Sequence, residues 1–310
     1  MTRLLARVAE SLYWAARYLE RAEDTARIVL QHTNILVDMP ESVPLTWDPL
    51  LAILGDPDIG QGVAGEQEIV DYLACDMSNP SSIVASVVAA RENLRATREV
   101  LPRAAWQAIN DLFLYVGRHS ADAVPRASRT RYLSQVVSES QRIVGTLAGT
   151  MSRDAAYSMM RLGRNIERAD MTTRVLDVRA GSLIDGDGSA FDDIQWVGVL
   201  QSLSALQMYR RATRAPMASD SIVRFCLQAR PFPRSVAHCL GEVEHCLAVL
   251  PERASVRSAC DNATAGLTSL VASDLNGNNL HRLMDGLQRS ISAIHVELAD
   301  GYFRHAERVA

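Results

Sequence analysis

Two carboxylates three residues apart, present twice in one chain, have the types and spacing to do chemistry: Glu20-x-x-Glu23 followed by Arg27, and Glu167-x-x-Asp170 followed by Arg174. Each Glu is preceded one helical turn earlier by an arginine, Arg17 or Arg164, and followed directly by another, Arg21 or Arg168. Inward-facing carboxylate pairs on two helices are how a bundle begins a di-metal centre. Such centres also take Glu-x-x-His, and neither copy supplies a His, while each supplies arginines spaced to neutralise its acids. The leading expectation is therefore an Arg–carboxylate network that ties two central helices together, fixing register more than adding stability. Two alternatives stay open. One is a polar pocket in which arginine anchors the carboxylate or phosphate of a ligand. The other is catalysis with Glu20, Glu23, Glu167 and Asp170 as acids and bases and Arg27 and Arg174 as anion anchors. Carboxylates at a core edge can have raised pKa values, although paired arginines oppose that shift.

The elements that must position these residues are helices. In the first, Val8, Leu12, Ala15, Leu19, Ala22, Ala26 and Val29 recur at steps of four and three, which keeps them on one face. At about 100° per residue, Glu20, Glu23 and Arg27 fall within roughly 60° of one another, at the edge of that apolar stripe. Trp14 and Tyr18 lie on the opposite side, so the helix is apolar on more than one face and is expected to pack between neighbours. The second copy, Ala155 to Leu176, aligns on Glu167 and Arg168 at an offset of 147 (167 − 20) and pairs Thr25 with Thr172 and Arg27 with Arg174. Its internal Gly163 is the one helix-weakening residue in either copy.

Two further segments repeat in the same order. Pro80 and Ser82 match Pro233 and Ser235, and Leu133 and Val137 match Leu283 and Leu287. The spacing implies an all-α, single large helical-bundle domain covering 1–310, built from two pseudo-repeat halves near 1–150 and 151–310. Helices are expected at Leu50–Leu54, over 66–77, from the turn around Pro80 through Leu94, around Trp106–Val116, around Leu133–Ala148, and as one helix from Trp196 through Tyr209. Loops are expected from Met39 to Pro57, extending through Gly65, and from Ala180 to Ser189.

A net charge of −4 argues against a general nucleic-acid binder. No run approaches the roughly 20 apolar residues of a membrane span, so no membrane partner is expected and a cytoplasmic location is. All 32 basic residues are Arg, a bias that base composition of the gene accounts for. Cys75, Cys226, Cys239, Cys246 and Cys260 lack framework spacing and are expected as reduced thiols. His238-Cys239 and His245-Cys246 stand seven residues apart, about 10 Å on a helix, too far for one tetrahedral zinc. Asp185 to Ser189 imitates the start of a calcium loop but lacks its Gly and Glu. With no nucleotide or nucleophile motif present, no cofactor is implied.

The run Ala6-Arg-Val-Ala-Glu-Ser-Leu-Tyr-Trp through Glu20-Arg21-Ala22-Glu23-Asp24, together with Ala90-Arg91-Glu92-Asn93, Phe232-Pro233-Arg234-Ser235 and Tyr302-Phe303, resembles the bacterial alpha-E family. That all-helical domain is named for its Glu-Arg motif and long classed as a domain of unknown function. Leu94 stands where the family has Ala. The resemblance implies an accessory or substrate-positioning protein. Members are typically encoded beside, or fused to, ATP-grasp proteins, often with transglutaminase-like or proteasome-like hydrolases. The implied partner is an ATP-grasp-type amide or peptide ligase that supplies nucleotide and Mg, and the implied substrate is a peptide. An enzyme in its own right and a scaffold are the competing expectations.

Overall fold

A computed structural model describes residues 4–38, 46–54, 65–180, 192–214, 217–268 and 277–303. Among them are thirteen helices: α1 (Ala6–Asp38), α2 (Asp48–Leu54), α3 (Glu66–Ala74), α4 (Ile83–Ala96), α5 (Arg103–His119), α6 (Arg126–Thr150), α7 (Ala155–Val175), α8 (Asp192–Ser202), α9 (Leu206–Thr213), α10 (Ser219–Gln228), α11 (Val236–Leu247), α12 (Ala254–Thr268) and α13 (Gly277–Leu298). The described residues include no strand.

α1 has 33 residues, about 50 Å of helix, and it lies at the centre. It packs along α7, α4 and α6 and reaches α8. α7 in turn packs on α11 and α13, with α5 outside α6 and α12 outside α13. Leu12, Tyr13, Ala15, Ala22, Ala26 and Val29 are sealed on different sides of α1, as an element enclosed by neighbours requires. Contacts between the two central helices advance together: Tyr13 with Gly163, Arg17 with Glu167, Glu20 with Arg168. The helices therefore run parallel. Their closest approach is at Gly163, where a Cβ would collide with the Tyr13 carbonyl oxygen, so hydrogen fits and a methyl does not.

Two turns leading into the flanking helices are built alike. Ser82 caps α4 by accepting from the Ala85 amide, and Ser235 caps α11 by accepting from the His238 amide. Each turn is tied to a central helix by a threonine: Thr25 Oγ1 donates to the Ser81 carbonyl at 3.5 Å, and Thr172 Oγ1 to the Arg234 carbonyl at 2.9 Å. Elsewhere Arg129, fully buried on α6, pairs with Glu66 at 2.7 Å and donates to the Ala123 and Val124 carbonyls, fastening α3 to α6.

Three expectations need correction. Pro80 precedes the α4 cap and is outside the helix, because Ser82 supplies the cap. The helix expected through Trp196 and Tyr209 is two, α8 and α9, broken where Ser204 adopts a left-handed backbone with φ 53°. Glu20 and Glu23 lie inside the core, 1% and 2% exposed, and not at its edge. Parts of the expected loops, 39–45, 55–64 and 181–191, and the calcium-like Asp185–Ser189 with them, lie outside the described residues.

Candidate functional site

The two Glu-Arg pairs exchange partners across the α1/α7 contact. Arg168 holds Glu20 bidentately, Nε to Oε1 at 2.7 Å and Nη2 to Oε2 at 2.9 Å. Arg21 returns the contact, Nε to Glu167 Oε1 at 2.6 Å, and Arg17 takes the other oxygen, Nε to Oε2 at 2.6 Å. Each glutamate thus finds its counter-ion on the opposite helix.

On the Glu20 side the three carboxylates and Arg234 are sealed, while Arg168 keeps 12% of its side-chain surface exposed. Arg234, delivered by the turn before α11, bonds Asp24 Oδ1 at 2.6 Å and Glu23 Oε1 at 2.9 Å, and stands 2.9 Å from Glu20 Oε1. Glu23 Oε1 also accepts from Arg27 and, at 3.2 Å, from Gln141 of α6. Arg27 reaches on to Ser204 Oγ. The broken helix therefore has a local purpose, since the left-handed residue turns its hydroxyl onto a buried guanidinium. Burial raises the Glu20 pKa, but attraction to Arg168 and then Arg234 outweighs it and brings the carboxyl down to about 2. Asp24 has Arg234 as its ion-pair partner and shares it with two other carboxylates. Burial dominates there and pushes it up to about 7, with Arg234 opposing and Glu20 and Glu23 adding to the rise. Asp24 Oδ2 and Arg27 Nε are buried without a hydrogen-bond partner.

On the Glu167 side the network opens toward solvent. Arg17 and Arg21 keep 12% and 17% of their side-chain surface exposed, and Arg174, bound to Asp170 at 2.8 Å, keeps 40%. Aromatic rings line this opening. Arg17 lies 5.0 Å from the Trp14 ring centre, Arg21 5.5 Å from Tyr18, and Trp14 stacks on Tyr18 at 5.6 Å. Behind them Tyr13 shares a 2.9 Å hydrogen bond with His295. Burial and the charge of Arg17 hold the His295 pKa below its ordinary value. Burial also opposes the charge on Glu167, yet Arg17 and Arg21 keep its pKa low. Asp170 is raised by burial despite Arg174.

Of the ten residues singled out in sequence, nine enter these ion pairs. Arg164 does not: it sits beside Glu20, but that carboxylate is taken by Arg168 and Arg234, and Arg164 Nε is buried unpartnered beside a cavity of about 20 Å³. Burial, with Arg168 nearby, lowers its pKa. Sequence reasoning missed Asp24, Arg234, Gln141 and Ser204. Asp24 had a signal, four residues from Glu20 and so on the same face. Seven guanidiniums (Arg17, Arg21, Arg27, Arg164, Arg168, Arg174, Arg234) thus meet five carboxylates (Glu20, Glu23, Asp24, Glu167, Asp170).

Every carboxylate in the network is ion-paired, which leaves no cluster of free oxygens for a metal. Cys239 and Cys246 are core residues, fully buried. Away from the network, Asp177, His281 and Asp285 bring one ligand atom each within 4.8 Å of one another. His281 Nδ1 is bound to Asp177 at 2.7 Å, and that bond raises the pKa of this exposed imidazole.

Fold and site together define a helical bundle whose two central helices are locked by exchanged Glu–Arg pairs. The chain belongs to the Alpha-E family, described as a predicted alpha-helical domain with a conserved ER motif, whose model matches residues 4–303. It is 25% identical over 268 residues to the uncharacterized proteins Mb2597 of Mycobacterium bovis and Rv2567 of Mycobacterium tuberculosis. Each alignment covers 79% of this chain and 30% of the relative. The chain thus spans under a third of the length of the curated relatives it matches. No solved structure matches it.

Proposed function

We propose that this chain is a non-catalytic accessory protein that positions a peptide substrate for a separate ATP-grasp-type amide or peptide ligase, in a peptide synthesis or modification system of the cytoplasm. One observation carries the non-catalytic half of this reading: the carboxylates of the Glu-Arg motif are each spent on a guanidinium. A general acid or base must reach its substrate and change protonation near the working pH, and Glu20, held near 2 and sealed, does neither. Asp24 comes nearest to an acid/base group, with its pKa near 7, but it is 3% exposed. The partnered half is supported by the mycobacterial relatives, in which the matched segment is 30% of a longer chain, and by family association. The ligase supplies nucleotide and Mg, consistent with the lack of a phosphate-binding motif in the sequence. The same reading takes 1–150 and 151–310 as halves of a duplicated chain, which the two threonine-tied turns support.

The test is affinity purification of the tagged chain from its host, followed by mass spectrometry and an ATP-turnover assay on what is recovered. Stoichiometric recovery of an ATP-grasp-like protein, with turnover that requires both components, is the expected outcome. Recovery of the chain alone at low salt refutes the accessory role. In parallel, Glu20→Gln and Glu167→Gln are expected to lower the melting temperature, as a structural network requires.

A further inference from the structure

The two ends of the Glu–Arg network use their guanidiniums differently. Arg168 spends both Nε and Nη2 on Glu20. Arg17 and Arg21 each hydrogen-bond Glu167 through Nε alone. Arg17 also lies beside Tyr13, 5.9 Å from its ring centre, where its charge and a side-chain hydrogen bond act on the phenol. The two side chains keep 12% and 17% of their surface exposed. The two arginines are four apart on one helix, with Cβ atoms about 6 Å apart, and each is fixed in orientation by the shared carboxylate behind it and an aromatic ring beside it.

We propose that Arg17 and Arg21 form a clamp for the carboxylate of an acidic peptide, with Trp14 and Tyr18 packing against its aliphatic stem. Guanidinium forks match a carboxylate in two-point geometry, and Glu167 has removed the rotational freedom that such a ligand would otherwise have to freeze. Local charge selects the ligand class. Arg17, Arg21 and Arg174 against Glu167 and Asp170 leave an excess of one positive charge, which balances a carboxylate monoanion, whereas a phosphate dianion would leave the site with one net negative charge. The inference deepens the substrate-positioning reading and rests on it for the peptide, but binding to the isolated chain needs no ligase.

The experiment is calorimetric titration of the full chain with the peptide Gly-Glu-Gly-Glu, its Gln-containing amidated counterpart, and inorganic phosphate. Saturable binding of the acidic peptide alone is expected, weakened at least ten-fold in Arg21→Lys, which keeps the charge on Glu167 but loses the fork. Arg142→Gln, which removes an exposed guanidinium from α6, should bind as the parent does. Because Arg21→Lys can perturb folding, the unsubstituted protein supplies a second reading: the peptide should protect Arg17 and Arg21 from phenylglyoxal, resolved by peptide mass mapping. No saturable binding, equal affinity for the neutral peptide, preference for phosphate, or absence of protection overturns the clamp. Peptide binding without recovery of a ligase leaves the clamp standing and removes the accessory role. Recovery of a ligase without peptide binding does the reverse.

Discussion

On one side of the α1/α7 contact, two arginines share a single glutamate; on the other, Arg234 serves three carboxylates in addition to the bidentate Arg168–Glu20 pair. Both sides carry the same Glu-Arg dipeptide, yet one is closed by a residue from the other half of the chain and the other is left partly in water. A motif copied twice thus serves two purposes once its surroundings diverge. Charges sealed from solvent fix where α11 docks, and charges at the rim remain available to a ligand. The closed side is costly to disturb, because removing one member strands the others in a medium that solvates them poorly. The open side tolerates loss, since water replaces what is removed.

The largest expected effect is at the sealed side. Arg234→Ala strands Asp24 and leaves Glu20 and Glu23 short of a counter-ion, and a loss of about 3–5 kcal/mol is expected, read as a collapse of the urea midpoint or failure to fold. If the variant unfolds like the parent, the sealed side is no more structural than the open one. Next is the contact between the sides. Gly163→Ala drives a methyl into the Tyr13 carbonyl and should cost about 2 kcal/mol, while Ala16→Gly at the matching position of α1 should cost about 1 kcal/mol.

A separate effect concerns pH. The Asp24 pKa is near 7 when folded against about 3.9 when unfolded, so folding favours its proton. The stability from that proton is full below about pH 4 and is lost as pH rises through about 7. Asp24→Asn removes this slope, and its stability relative to the parent should rise by about 4 kcal/mol between pH 4 and pH 8, read from melting curves across that range. Glu20 behaves oppositely: its pKa is lowered to about 2, so its contribution is present above about pH 4.3 and is lost as pH falls through 2. The smallest effect is at the rim, where Arg174→Ala should change stability by under about 1 kcal/mol, as its 40% exposure implies. A larger loss there would erase the distinction between the two sides.

The central helices and their pairing were legible in the sequence because their determinants are local. Leu12, Leu19, Ala22 and Val29 give the period directly, and the Glu-Arg repeat marks the two helices, although the arginines next to each Glu pair with the Glu of the other copy. Arg234 and Ser204 were not legible in that way. Arg234 sits in a turn 210 residues from Asp24, so no spacing rule links them. Leu203, Leu206 and Tyr209 keep helical steps through a point where the helix breaks, and the reason for the break is Arg27, on another helix. Depth was misread too. Periodicity places Glu23 beside the apolar stripe, but it cannot reveal that α6 and α11 close over it.

That separation also sets the order of events on the ribosome. α1 is made before the turn that carries Arg234, and Asp24 then waits for that arginine, made 210 residues later. At roughly 5–20 residues per second this is about 10–40 s. During that interval Asp24 is without its ion-pair partner, whereas Glu23 already has Arg27 four residues on in α1. Closure over Asp24 therefore comes only once Arg234 has been made.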